Sequence, residues 1–416
     1  MLRILHISDL HFDAVYGRYP EVVRSALKAG LNRAFANAVD YAIEKSVDLL
    51  LITGDLCDKG QVSYATESFL KKQFERLSLA NIYVIALHGN HDPSSELNWN
   101  LKSEGINFVT KPESTTIEIP LKSGEKCYIS ANGFENKAES LSRIETFPIR
   151  SEGAYHVGAM HTFTASGLAT GEHEPYMKTN LNELSSKKYD YWALGHIHKM
   201  QLWPSHKAAY SGSLQGLHAN EIGEKGGILV ELEEPGAQPN LKFVDFSVLE
   251  FQSVYVDIQS ESSSFETNSS VTLHDIKSKI IQEISKMKSQ RKIRKSFLVR
   301  VMLEGASKYY DSLQKEGLKQ ELESDIREDA EVLFVEVNTD RLTPYVDKNE
   351  ILKASPFASF IEEMLTSPEL KQKLVEYAGS VSFAEKPDNE TAWIEDLINQ
   401  VGDEWLYKMV KHNENK

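Results

Sequence analysis

The chain has 416 residues, 41% of them hydrophobic and 26% charged, with a formal net charge of −15. Such a composition suits a globular protein with a sizeable core, and the length suits two or three domains of about 100–200 residues each. The negative balance excludes wholesale electrostatic attraction to nucleic acid, so any such substrate would need a local basic stripe or a partner. Cys57 and Cys127 are the only cysteines, which excludes a disulfide framework. With no secretory n-region or h-region, the expected location is cytoplasmic, and no apolar run approaches the ~20 residues of a membrane helix.

In chain order, Leu2–Ser8, Val47–Thr53, Ile82–Leu87, Ala154–Met160 and Tyr189–Leu194 are short apolar runs rich in β-branched and aromatic residues. Their length and composition predict strands. Pro20–Ser46 separates the first two and carries Val23, Leu27, Leu31, Phe35 and Val39 at helical spacing; Ser63–Leu79 separates the next two and is also amphipathic. The alternation predicts an α/β domain. Further strands are predicted at Cys127–Ala131, Ala209–Ser211, Ile228–Glu231 and Lys242–Leu249, with a turn over Glu233–Asn240. A new unit is predicted near Phe251: a strand at Val254–Ile258, a Ser/Glu-rich linker, a helix over Thr272–Ser289, a strand at Phe297–Leu303, a helix over Tyr309–Asp325 and a strand at Val332–Val337. From Asn349 onward the pattern is helical, broken at Pro368 and Pro387.

Each of the five leading strands ends in oxygen or imidazole ligands. The ends read Asp9-Leu10-His11, Gly54-Asp55, Gly89-Asn90-His91-Asp92, His161, and Gly195-His196-Ile197-His198. Carboxyl ends of strands are where α/β sheets build their sites. Carboxylate, amide oxygen and imidazole suit divalent metals of intermediate hardness. Asp9, His11, Asp55, Asn90, His161, His196 and His198 are too many for one tetrahedral ion and fit two ions sharing a carboxylate. The neighbouring glycines are expected to permit tight turns. His6 is expected to pack in the core, Cys57 to be a small buried residue, and His88, His156, His173 and His206 to be structural or surface residues.

The series ISDLHFD, GDLCDKG, GNHD, MH and GHIH resembles the calcineurin-like metallophosphoesterases. YDYWALGHIHK and YSGSLQGLHANEIGEKGGILVEL resemble the bacterial DNA-repair exonuclease group called YhaO, which is related to the SbcD-type nuclease subunits. The resemblance covers about residues 1–250. It implies an α/β fold, a metallophosphoesterase β-sandwich flanked by helices (1–250), followed by a small α+β cap domain (251–345) and a helical C-terminal region (346–416). It also implies that Asp9, His11, Asp55 and His198 hold one ion and that Asp55, Asn90, His161 and His196 hold the other. The expected ions are manganese, with iron, zinc or magnesium as alternatives. His91 is then expected to act as general acid on the substrate, with Asp92 orienting it.

Two departures stand out. SbcD-type nucleases read GDxFH after the second strand, whereas Leu56-Cys57-Asp58 stand here. Related chains read QGRHIRE where Leu217 and Asn220 replace two arginines.

Lys277–Lys295 reverses the local sign of charge. Lys286, Lys288, Arg291, Lys292, Arg294 and Lys295 are therefore candidate DNA contacts, with a solvated helix face as the alternative. Phe357, Phe360, Ile361, Met364 and Leu365, then Trp393, Leu397, Val401, Trp405 and Leu406, form apolar stripes. They are expected either to make a core of their own or to dock a coiled-coil ATPase of the SbcC kind; a homodimer is a further expectation. The expected function is a DNA exonuclease subunit in repair. Its rivals are a small-substrate or cyclic-nucleotide phosphodiesterase, or phosphatase, of the same fold and an inactive scaffold for an ATPase.

Overall fold

A computed structural model describes residues 1–58, 62–96, 106–121, 123–164, 176–258, 272–291, 295–345, 367–369 and 372–373. The chain divides into two compact units: Met1–Gln252 with Lys295–Leu298, and Ser253–Arg294 with Val299–Lys416.

The first unit runs β1 (Leu2–Ile7), α1 (Glu21–Glu44), β2 (Leu49–Thr53), α2 (Tyr64–Leu79), β3 (Tyr83–Leu87), β4 (Ile106–Val109), β5 (Thr115–Pro120), β6 (Lys126–Ala131), β7 (Ala154–His161), α3 (Leu181–Ser186), β8 (Tyr191–Gly195), β9 (Gln201–Trp203), β10 (Ala208–Tyr210), β11 (Gly226–Leu232), β12 (Asn240–Asp245) and the start of β13 (Leu249–Asp257). Two six-stranded sheets result, ordered β12-β11-β1-β2-β3-β4 and β5-β6-β7-β8-β10-β9. β1 to β4 are parallel, as are β6, β7, β8 and β10; β5, β9, β11 and β12 pair antiparallel to their neighbours.

Both faces of the first sheet are covered, which is why its strands read as unbroken apolar runs. Side chains alternate along β1. Leu2 and Ile4 face inward with Leu49, Leu51, Ile85 and Leu87, against Ile129, Tyr155, Val157 and Ala159 of the second sheet. Leu5 and Ile7 face the other way, under Leu31, Phe35 and Val39 of α1 and Leu70, Phe74 and Leu77 of α2. The outer face of the second sheet buries Met160, Trp192 and Leu194 against Leu181 and Leu184 of α3. The architecture is the expected helix-flanked sandwich. Asp13, from the loop after β1, holds the start of α2 by accepting from Ser63 N at 2.8 Å and Thr66 Oγ1 at 2.9 Å.

In the second unit, β13 continues and is followed by α4 (Leu273–Ser289), β14 (Ser296–Ser307), α5 (Tyr310–Leu313), α6 (Glu316–Asp329) and β15 (Phe334–Pro344). The strands form one sheet ordered β13-β14-β15. Thr272 and Asp275 make a reciprocal capping box at the start of α4. Ile276, Ile280 and Ile284 recur every four residues and form its buried face.

Several expected elements have different bounds. Lys242–Leu249 is not one strand: Asp245 Oδ1 accepts from both the backbone N and the Oγ of Ser247, which turns the chain, and β13 starts at Leu249. A boundary at residue 250 therefore falls inside β13. The helix expected over Tyr309–Asp325 is broken into α5 and α6, and β4, β5 and β9 were not foreseen. The apolar stripes of the C-terminal region, Lys292, Arg294 and His173 lie outside the described residues. Among the described residues no helix is long and apolar enough to cross a membrane.

Candidate metal centre

β1 is followed by Asp9 and His11, β2 by Asp55, and β3 by Asn90 and His91; β7 ends on His161, and β8 is followed by His196 and His198. These five strand ends meet. The ligand atoms of Asp9, His11 and His198 lie within 4.8 Å of one another, as do those of Asp9, Asp55 and His161. His11 Nε2 stands 3.2 Å from His198 Nε2. His161 Nε2 stands 3.0 Å from Asn90 Oδ1, and the His196 ring centroid lies 5.2 Å from that of His161. Asp55 joins the two groups: its Oδ2 is 3.7 Å from His11 Nε2 and 3.3 Å from His161 Nε2.

The local backbone explains how short turns bring these groups in. Asp9, His11, Asp55 and His196 all have positive φ, at 51°, 52°, 51° and 100°. Non-glycine residues rarely adopt this region, and it is enriched at functional sites. The neighbouring glycines serve two purposes. Gly54 has φ 97°, the turn expected of it. Gly89 is needed for close approach, because a Cβ there would stand 2.2 Å from Asp55 Oδ1.

Three of the four ligand imidazoles are held from outside. His198 Nδ1 faces Glu221 Oε1 at 2.8 Å, His161 Nδ1 donates to the Thr53 carbonyl at 2.9 Å, and His11 Nδ1 faces Asp58 Oδ1 at 3.2 Å. This fixes Nδ1 as the protonated nitrogen and turns each Nε2 inward, the arrangement seen when an outer partner orients a metal-bound histidine. Inward-facing nitrogens, a shared buried carboxylate and an amide oxygen fit two divalent cations.

The charges behave as a site built for cations. Burial would lower the His161 pKa, but Asp55 overrides it and lifts the group to about 9. Burial likewise opposes, and Glu221 overrides, at His198, which also rises to about 9. Burial would raise the Asp55 carboxyl, yet His161 and His11 hold it well below the usual range. In the metal-free protein, protons on imidazole balance carboxylates that cations would otherwise neutralise.

Residues 2–200 match the calcineurin-like phosphoesterase family, a span that contains all seven candidate ligands. This part of the chain is similar to the calcineurin-like phosphoesterases. The uncharacterized metallophosphoesterase YhaO of Bacillus subtilis (strain 168) is 33% identical over 244 residues, which cover 56% of this chain and 57% of that protein. The chain thus spans little more than half the length of that relative. Among solved structures, TT1561 of Thermus thermophilus is 14% identical with a TM-score of 0.35, covering 59% of this chain and 99% of its own. A dimetal phosphatase from Danio rerio is 11% identical with the same score of 0.35 and the same coverages, 59% and 99%.

Beside these ligands His91 is the outlier: its side chain is 41% exposed, open to solvent. Its Nδ1 faces Asp58 Oδ1 at 3.1 Å, and its backbone N donates to Asp55 Oδ1 at 2.9 Å. The residue that orients His91 is therefore Asp58, not Asp92. The turn directs Asp92 backward, where its carboxylate accepts from Gly89 N at 2.7 Å and Cys57 N at 3.1 Å. Burial and the Asp55 charge raise the Asp92 pKa to about 7. Asp92 thus braces the loop that carries Asn90 and His91. Sequence reasoning missed Asp58 and Glu221 as holders of imidazoles. The signal for Asp58 was an acid three residues after Asp55; Glu221, far from any ligand in the sequence, had none.

The residues expected to be structural are so placed. His6 is fully buried, with Nδ1 2.8 Å from Tyr191 Oη and Nε2 3.0 Å from Thr53 Oγ1; burial lowers its pKa to about 3. Cys57 is buried, and burial pushes its thiol well up. His88 bonds the Asp92 carbonyl, His156 the Ser151 hydroxyl and His206 the Ser185 hydroxyl.

The candidate DNA contacts divide. Lys286 is 66% exposed beside Glu283, Lys288 Nζ donates to the Ala330 carbonyl at 2.9 Å, and Arg291 is half-buried. Lys295 departs from the expectation. Only 3% exposed, it pairs with Asp245 and with Glu250, the latter at 3.3 Å, so it is a buried ion-pair partner with no surface to offer a phosphate.

Proposed function

We propose that this chain is a two-metal-dependent phosphodiesterase that hydrolyses DNA, an exonuclease-type subunit of repair machinery in the manner of SbcD. One observation carries the reading: the Asp55 carboxylate stands between two groups of inward-facing ligands, 3.7 Å from His11 Nε2 and 3.3 Å from His161 Nε2, with the solvent-open His91 beside them. Two divalent cations, with manganese the first choice, would supply Lewis-acid polarisation of the phosphate and a nucleophilic water at neutral pH. Asp9, His11, Asp55 and His198 would hold one, and Asp55, Asn90, His161 and His196 the other. His91 protonates the leaving oxygen. Its hydrogen bond to Asp58 raises its pKa above the usual histidine value against the pull of burial, which suits a general acid. Asp58 also anchors His11, so it couples the acid to the metal ligands.

The exposed Lys286 supports a DNA substrate, together with the basic residues around it on α4. A small phosphodiester is the second reading. It is favoured by Lys277, which is committed to Asp325 and Asp329, and by the burial of Lys295, since both reduce the basic surface. A coiled-coil ATPase that docks on the region beyond residue 346 is part of the first reading. Manganese-loaded protein is offered single-stranded DNA, duplex DNA and a chromogenic small diester. The first reading predicts DNA cleavage that chelator stops and that His91→Ala loses while retaining metal. Turnover of the small diester alone overturns it in favour of the second.

A further inference from the structure

Tyr16 is a buried polar group that the centre described above does not use. It lies in the segment that follows His11. At one end of this segment, Phe12 bridges Cys57, and its carbonyl accepts from Asp58 N at 2.9 Å. At the other end, the Tyr19 ring lies 6.0 Å from Phe251, which bridges Ile222 and accepts from Gly223 N at 3.0 Å. Residue 16 is thus held between the loop of Asp58 and the loop of Glu221. Those carboxylates brace His11 and His198, whose Nε2 atoms face each other at 3.2 Å.

Tyr16 is 5% exposed, and its hydroxyl has no hydrogen-bond partner among the described residues. The nearby acids are already engaged. Asp58 Oδ1 serves both His11 and His91, while Glu221 serves His198, Ser213 and the backbone N of Leu217. Burial, then the charges of Glu221 and Asp58, push the phenol pKa well up, so it remains a donor. A buried donor left unpaired is costly, and native proteins rarely leave one without a partner of some kind. Residue 16 also lines a cleft of about 310 Å³ with Phe12, Lys28, Leu31 and Asn32.

We propose that the Tyr16 hydroxyl donates a hydrogen bond to a non-bridging oxygen of the substrate phosphate. This rests on the phosphoesterase reading and adds a substrate-binding residue to it. Wild type and Tyr16→Phe are loaded with manganese and compared by elemental analysis, by affinity for inorganic phosphate and by kcat/KM on a chromogenic diester. Thermal midpoints are measured on the metal-free forms. Metal content stays equal, while phosphate affinity and kcat/KM fall about tenfold or more, as for loss of one hydrogen bond to a charged group. The metal-free midpoint stays level or rises, because phenylalanine removes an unpaired hydroxyl. Phosphate affinity within twofold of wild type overturns the proposal. So does a lowered metal-free midpoint, which would give the hydroxyl a structural partner. Wild type that binds neither metal nor phosphate would instead refute the phosphoesterase reading, and this proposal with it.

Discussion

Glu221→Gln tests whether the outer anchors of the imidazoles matter. Glu221 Oε1 faces His198 Nδ1 at 2.8 Å, and its Oε2 accepts from Ser213 Oγ at 2.9 Å and lies 3.3 Å from Lys225 Nζ. Glutamine keeps the shape and one acceptor but loses the charge. Loss of such an outer partner weakens metal binding by about 10–100-fold, or about 1.4–2.8 kcal/mol. The change also leaves the ammonium of Lys225, which is 7% exposed, with the neutral His198 carbonyl at 2.8 Å but no counter-charge from Glu221, and breaking a buried ion pair costs about 3–5 kcal/mol of stability. The double variant Glu221→Gln/Lys225→Met removes the stranded charge, so it recovers much of the thermal stability without recovering metal affinity. Manganese affinity is read by chelator competition and stability by urea unfolding. Single-variant affinity within twofold of wild type, or a double variant that recovers affinity together with stability, would refute the reasoning.

His91→Asn lowers kcat by about 10²–10⁴-fold with metal content unchanged, whereas Asp58→Asn lowers both, because Asp58 faces His91 and His11 alike; steady-state kinetics beside elemental analysis separates them. Gly89→Ala forces a Cβ to within 2.2 Å of Asp55 Oδ1, so metal uptake should be lost and the thermal midpoint should drop. The His161 and His198 pKa values, raised to about 9 by their carboxylate partners, set two pH effects of the metal-free protein. The sign follows from linkage: their contribution is complete below about pH 6.5, the unfolded value, and is lost as pH rises through about 9. Cations need neutral imidazole, so metal uptake near pH 7 should release about two protons and release few above pH 10; calorimetry in two buffers of different ionisation enthalpy measures this, and no release at pH 7 would contradict it.

The strand ends were legible in the sequence because ligands two residues apart, Asp9 with His11 and His196 with His198, follow apolar runs that only strands explain. What connects the strand ends was not legible. Adjacency suggested Asp92 for His91, but the turn aims Asp92 at Gly89 N and brings Asp58 across instead. Glu221 acts over a separation of 23 residues from His198, which no local pattern encodes. Lys295 read as one of a run of exposed cations, yet β14 begins one residue later and carries it onto Asp245 and Glu250. The edge strands β4 and β9, with four and three residues, are too short for periodicity to reveal.

The shared Asp55 carboxylate is the central claim, and anomalous diffraction from manganese-soaked crystals tests it most directly. Two peaks about 3.5–4 Å apart are expected, one on each side of Asp55 Oδ2, with His11 and His198 on one and Asn90, His161 and His196 on the other. A single peak, or peaks away from these side chains in fully loaded protein, would contradict it.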